Sequence, residues 1–208
     1  MNPSTDARSV DTKPRVLCIA GSPRRHGNSE RLLDALMRGV EAAGGDAVKL
    51  VAAEAGVHPC LGCNACSRTG MCVIVDRMDD VNAAVDAADA VAVATPVFFA
   101  TVPGVLKVVF DRFQPYWSRR HVLHEPAAGF KRPGAILVVG GGGDPFGTGC
   151  AITSVKSVFA VLGVASDVVV ECVGPDASGD IDSHPEARQL AEQAGAQLVS
   201  EILEQRAR

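Results

Sequence analysis

Five short apolar runs decide what this chain can fold into. They are Arg15–Ala20, Ala47–Val51, Ala90–Ala94, Ala135–Val139 and Ala165–Val173. Their apolar residues are largely continuous rather than alternating, so these strands are expected to be buried on both faces. Between them lie segments of helical period. The first starts at a cap formed by Asn28 or Ser29, carries Leu32, Leu33, Leu36, Met37 and Val40 on one face, and ends at Gly44-Gly45. Others are expected over Asp79–Ala88, Pro103–Phe113 (proline in its permitted first turn), Ile152–Leu162 and Pro185 to about Arg206.

The resulting order is β-α-β, a loop-rich stretch from about Ala55 to Asp76, then α-β-α-β-α-β-α. Alternation of this kind predicts an α/β fold with a parallel sheet covered by helices on both faces. Five such strands fit the doubly wound, flavodoxin-like order 2-1-3-4-5, with a cysteine-rich insert after strand 2. Residues 14–208 read as one domain, and residues 1–13 as a polar, disordered tail with no apolar core of a signal peptide. Gln114–Arg132 reads as a long connection that holds the only Trp and Tyr.

Composition excludes several classes of function. A net charge of −4 leaves no broad basic face for nucleic acid, and 4% aromatic residues make a poor base-stacking platform. The most apolar stretch, residues 87–110, is interrupted by Asp89, Pro96, Pro103, Gly104 and Lys107, so no membrane span is expected. A cytoplasmic protein with reduced thiols is expected. Cys18, Cys150 and Cys172 sit in apolar or glycine-rich settings and read as buried, inert thiols.

The other four cysteines, Cys60, Cys63, Cys66 and Cys72, form a C-x2-C-x2-C-x5-C array. Such an array is a metal or cluster ligand set, a redox device or part of a disulfide scaffold. The lack of a secretory signal makes the scaffold the weakest reading. The spacing approaches bacterial iron–sulfur runs, whereas a zinc site usually sets two CxxC knuckles further apart. A four-thiolate zinc site that only orders the loop is the competing reading.

Ligands of a doubly wound sheet bind beyond the carboxyl ends of its strands. Three loops leave those ends. Gly21–Ser29 offers Ser22, Arg24, Asn28 and Ser29 before a helix N-terminus, a composition suited to a phosphate. It lacks the Gly-Lys-Ser/Thr of a nucleoside triphosphate loop and the GxGxxG of a dinucleotide fold. Thr95–Gly104 puts Phe98 and Phe99 where a flat ring could lie. Gly140–Gly149 exposes backbone amides to a planar ligand. A capped polar loop, two core phenylalanines and a flexible glycine connector are the plain alternatives. No acid–base residue stands out: His26, His58, His121 and His124 read as surface or structural histidines.

Taken together, GSPRRHGNS, CLGCNACSRTGMC, DRMDD, the run from ADAVAVATPVFFA to KVVFDR, and VVGGGG resemble the iron–sulfur flavoprotein branch of the NADPH-dependent FMN reductase family. The resemblance runs from about Arg15 to Val173. It implies that Ser22, Arg24, Asn28 and Ser29 hold the phosphate of FMN. Thr95, Pro96, Val97, Phe98 and Phe99 would line the ribityl chain and ring, and Gly141, Gly142 and Gly143 would close over the ring's polar edge. Cys60, Cys63, Cys66 and Cys72 would ligate a [4Fe–4S] cluster. A homodimer or homotetramer is also implied, with Gln114–Arg132 contributing to the interface.

The function implied is an FMN-dependent oxidoreductase passing electrons between cluster and flavin, with NAD(P)H or a ferredoxin-like protein as donor and a small molecule as acceptor. The alternatives are a cluster-free NAD(P)H-dependent FMN, quinone or azo reductase, a biosynthetic flavin dehydrogenase acting on a chorismate-like ring, and a non-catalytic electron carrier.

Overall fold

A computed structural model describes residues 12–126 and 130–208. The disordered tail expected over residues 1–13 lies, except for Thr12 and Lys13, outside the described residues. The chain runs β1 (Arg15–Ala20), α1 (Asn28–Ala42), β2 (Asp46–Val51), α2 (Cys66–Thr69), α3 (Met78–Ala87), β3 (Ala90–Pro96), α4 (Gly104–Asp111), α5 (Gln114–His121), β4 (Gly134–Gly140), α6 (Gly149–Leu162), β5 (Val168–Val173) and α7 (Pro185–Arg206). Every strand pairing is parallel and the order is β2-β1-β3-β4-β5, as the pattern of apolar runs predicts.

The two faces of the sheet bury different side chains. Val16, Cys18, Ala20, Ala90, Ala92, Ala94, Ala135 and Leu137 face α1 and α7. Leu17, Ile19, Val91, Val93, Ile136 and Val138 face α3, α4 and α6. The alanine-rich face lets α1 and α7 press close to the sheet and to each other. A Cβ on Gly39 would lie 1.9 Å from the Glu192 carbonyl oxygen, and one on Gly195 would lie 2.1 Å from that of Leu36. The helices therefore touch backbone to backbone. Buried Cys18 is inert: loss of solvent pushes its thiol up to about 12.

Four expectations need correction. The cap of α1 is Gly27, in extended conformation, and neither Asn28 nor Ser29 caps the helix through its side chain. Residues 114–121 form helix α5 within the expected connection. Only Pro115 and Ser118 of this helix are buried, so it carries little apolar period, although proline in its first turn and Arg119, Arg120 and His121 in its last suit a helix. Strand β5 starts at Val168, because the Ala165 amide bonds the Arg132 carbonyl outside the sheet. Cys150 is exposed at the start of α6. Among the described residues, no helix is long and apolar enough to cross a membrane.

Candidate functional site

Adjacent strands β1 and β3 run into helices on opposite faces of the sheet, β1 into α1 and β3 into α4. The loops after β1 and β3 therefore diverge at the switch in strand order, where doubly wound sheets leave a crevice. The Gly21 amide bonds the Ala94 carbonyl at 2.8 Å and the Val97 amide bonds Val139 at 3.0 Å, so the loops leave the sheet side by side. A Cβ on Gly21 would lie 2.5 Å from Leu106 Cδ2. Glycine here leaves room for Leu106 of α4 to pack beneath the first loop.

A cavity of about 120 Å3 opens at this place. Ser22, Arg24, Gly27, Asn28 and Ser29 line one wall, and Pro96, Val97 and Phe98 another. Val139 and Gly141 close the third side, and Pro175, Asp176 and Ser178 form the rim. Among the described residues, the Arg24 guanidinium makes no ion pair. Its neighbour Arg25 is spent on Glu54 and on Glu30, at 3.1 Å to the latter. Ser22 Oγ accepts the Arg24 amide at 3.0 Å, leaving its own hydrogen to donate. The first helical hydrogen bond runs from Arg31 N to the Gly27 carbonyl at 2.9 Å, so the amides of Asn28, Ser29 and Glu30 have no partner within the helix. A free cation, two hydroxyls and a helix N-terminus fit a phosphate.

Glu30, 1% exposed, braces this loop from beneath. It accepts the His26 amide at 2.6 Å, Arg25 Nε at 3.2 Å and Lys49 Nζ at 3.3 Å. Burial pushes its carboxyl up, but these donors outweigh burial and hold it down at about 2.

The structure places the other expected residues differently. Asn28 Nδ2 donates to the Ala177 carbonyl at 2.8 Å, and its Oδ1 accepts the Gly179 amide at 2.9 Å. Its side chain thus ties the β5–α7 loop to α1. Thr95 is fully buried, with its hydroxyl on the Pro96 carbonyl at 2.9 Å. Phe99 is 98% exposed at the tip of a hairpin, and Gly142 and Gly143 lie past Gly141 outside the lining. At that hairpin Phe98 and Thr101 exchange backbone hydrogen bonds at 2.8 and 3.1 Å, while Phe99 and Ala100 both hold positive φ, +48° and +65°. Two-residue hairpins usually place Asn-Gly in that conformation. Sequence reading missed Pro175, Asp176 and Ser178. Their signal was the turn-rich Gly174-Pro175-Asp176 that follows the last strand.

The four array cysteines line a second cavity, of about 170 Å3, closed by Arg112 at the end of α4 and by Trp117 and Ser118 of α5. Cys60 and Cys63 are exposed, Cys66 and Cys72 half-buried, and all four are free thiols. Among the described residues, no three His, Cys, Asp or Glu side chains converge tightly enough to hold a single metal ion. The Gly62 amide approaches Cys60 Sγ at 3.5 Å and Ser118 Oγ approaches Cys66 Sγ at 3.4 Å. Donors aimed at sulfurs suit thiolates that carry charge. The two cavities share no lining residue.

The NADPH-dependent FMN reductase family model matches residues 14–169. The chain is 34% identical over 131 residues to an iron-sulfur flavoprotein of Archaeoglobus fulgidus, a match spanning 63% of this chain and 57% of that protein. It is 32% identical over 127 residues to an iron-sulfur flavoprotein of Methanosarcina thermophila, spanning 61% of this chain and 63% of the relative. The chain thus matches less than two thirds of each relative's length. Among solved structures, the NAD(P)H:quinone oxidoreductase from Methanothermobacter marburgensis superposes with a TM-score of 0.70 at 18% identity, covering 90% of this chain and 98% of that one, which shows the shared fold. The chain belongs to the NADPH-dependent FMN reductase family and, within it, sides with the iron–sulfur flavoproteins.

Proposed function

We propose that this protein is an FMN-dependent oxidoreductase. FMN would occupy the cleft at the carboxyl ends of β1, β3 and β4, and the cysteine cavity would hold a [4Fe–4S] cluster. The observation that carries this reading is the convergence on one cavity of Arg24, which makes no ion pair among the described residues, the Ser22 and Ser29 hydroxyls, and the amides at the start of α1 that have no partner within the helix. Arg24 and these amides would neutralise and orient the phosphate. Pro96, Val97 and Phe98 would exclude water from one face of the ring. A Cβ at Gly141 would lie 3.0 Å from Asp176 Oδ1, so glycine keeps the rim open where the ring's polar edge would meet backbone. Bound FMN supplies one- and two-electron chemistry that no side chain here provides. Cys60, Cys63, Cys66 and Cys72 would be the cluster ligands, a role supported by their shared cavity and the donors beside their sulfurs.

Electrons would enter from NAD(P)H or a ferredoxin-like donor and leave to a small acceptor such as a quinone, in a homodimer or homotetramer. The test is the visible spectrum and iron content of protein purified anaerobically. Flavin bands, a broad absorbance shoulder and about four irons per chain support the reading. Flavin with no iron moves it to a cluster-free reductase, and no flavin at all overturns it.

A further inference from the structure

Arg112 is the largest fully buried side chain among the described residues, at 1% exposure. Nη1 donates to the His58 carbonyl at 2.8 Å and to Asp76 Oδ2 at 2.6 Å, and Nη2 donates to Asp76 Oδ1 at 3.1 Å. Asp76 also accepts the His58 and Met78 amides, at 2.8 and 2.9 Å. The ion pair therefore pins both ends of the 58–76 segment, which carries all four array cysteines, to the end of α4.

Anchoring uses only two of the three guanidinium nitrogens. Nε is buried and has no hydrogen-bond partner among the described residues. An unmade buried donor is costly, and the fold retains one here. The same side chain forms part of the wall of the cysteine cavity, which Cys72 also lines; burial disfavours the guanidinium charge, Asp76 opposes that loss, and the Cys72 sulfur adds to the hold. Cys60 and Cys66 already have donors in Gly62 N and Ser118 Oγ. Cys72 would be the third sulfur so served. Arg119, the neighbouring arginine, is committed elsewhere: its Nε bonds the Gly70 carbonyl at 3.0 Å.

We propose that Arg112 Nε–H donates a hydrogen bond to Cys72 Sγ once that sulfur ligates the cluster, which makes Arg112 a positioning residue that raises the cluster's reduction potential. This rests on the cluster reading above. Asp76 cancels the guanidinium charge, so the effect comes from one directed donor rather than from a net positive charge. Reduction adds negative charge to the cluster and its sulfurs. A donor aimed at a ligand sulfur stabilises that charge, and its loss favours the oxidised state.

The test compares wild-type protein with Arg112→Lys, both purified and reconstituted anaerobically. Lysine can keep the pairing with Asp76 but has no Nε–H at that branch. The expected result is unchanged iron content with a more negative cluster potential, of the order of a tenfold change in the redox equilibrium (about 59 mV for one electron). In the reduced wild-type protein labelled with 15N-arginine, pulsed electron paramagnetic resonance should detect a 15N coupling to the cluster that Arg112→Lys lacks. An unchanged potential at full iron content, or no 15N coupling in the wild type, overturns the proposal while leaving the cluster reading intact. A variant that cannot keep iron leaves the wild-type 15N signal to decide. A wild-type protein that binds flavin but no iron overturns both readings.

Discussion

The Asp144 carboxylate accepts the Ala100 amide at 2.7 Å, and so joins the glycine-rich loop after β4 to the tip of the hairpin after β3. Its other oxygen accepts the Phe146 amide at 2.9 Å, which keeps the carboxylate aimed. Ala100 and Phe99 are in the left-handed region, where a residue with a Cβ is strained by roughly 1–2 kcal/mol. Strain of this kind persists only where the surroundings impose it, and here it shapes a wall of the candidate flavin cleft.

Asp144→Ala should therefore free the hairpin and weaken FMN binding several-fold while changing global stability by less than about 1 kcal/mol, since both loops are on the surface. Ala100→Gly should relieve strain and stabilise the fold by roughly 0.5–1 kcal/mol. Fluorescence titration with FMN and urea denaturation check the two effects separately.

Arg24→Ala should weaken FMN far more than riboflavin, because only FMN carries the phosphate that the unpaired guanidinium would meet. The loss expected is about tenfold to a hundredfold, in line with roughly 1.5–3 kcal/mol for a charged hydrogen bond. Equal weakening of both ligands would remove Arg24 from the phosphate site.

Acid should destabilise the fold through two carboxylates. Glu30 falls from about 4.5 in the unfolded chain to about 2 in the folded one, so its contribution is complete above about 4.5 and is lost as pH falls towards 2. That contribution is about 3 kcal/mol. Asp76, held well below the usual carboxylate range chiefly by Arg112 with help from the His58 and Met78 amides, acts in the same sense and over the same acid range. Glu30→Gln should flatten the stability profile between pH 5 and 2, measured by urea denaturation across that range.

Gly39→Ala should cost at least 1–3 kcal/mol, because its methyl group would meet the Glu192 backbone of α7 rather than a side chain that can turn away. Thermal unfolding would register this as a lower midpoint. A neutral result would mean that α1 and α7 separate more readily than their contact suggests.

Cys63→Ala should reduce iron retention and leave FMN binding unchanged, since the two cavities share no lining residue. Iron analysis and flavin absorbance on one anaerobic sample check this. Unchanged iron content would remove Cys63 from the ligand set.

The amino-acid sequence carries the five parallel strands, their order and the three loops at their carboxyl ends. Continuous apolar runs such as Val91–Ala94 are stable only when covered on both faces, and short crossovers leave few ways to arrange them. It also determined the cysteine array, because a local spacing is legible without a fold. Tertiary structure alone decided which polar groups stay free. Arg24 and Arg25 are adjacent and chemically alike, yet one meets Glu30 and Glu54 while the other faces the cleft. Asn28 reads as a cap but is drawn to Gly179, some 150 residues away. Arg112, lost in an apolar helix pattern, ends up beneath the cysteines with one donor unspent. Hydrogen-bond partners are chosen by three-dimensional proximity, and no local pattern encodes which distant group will take a donor first.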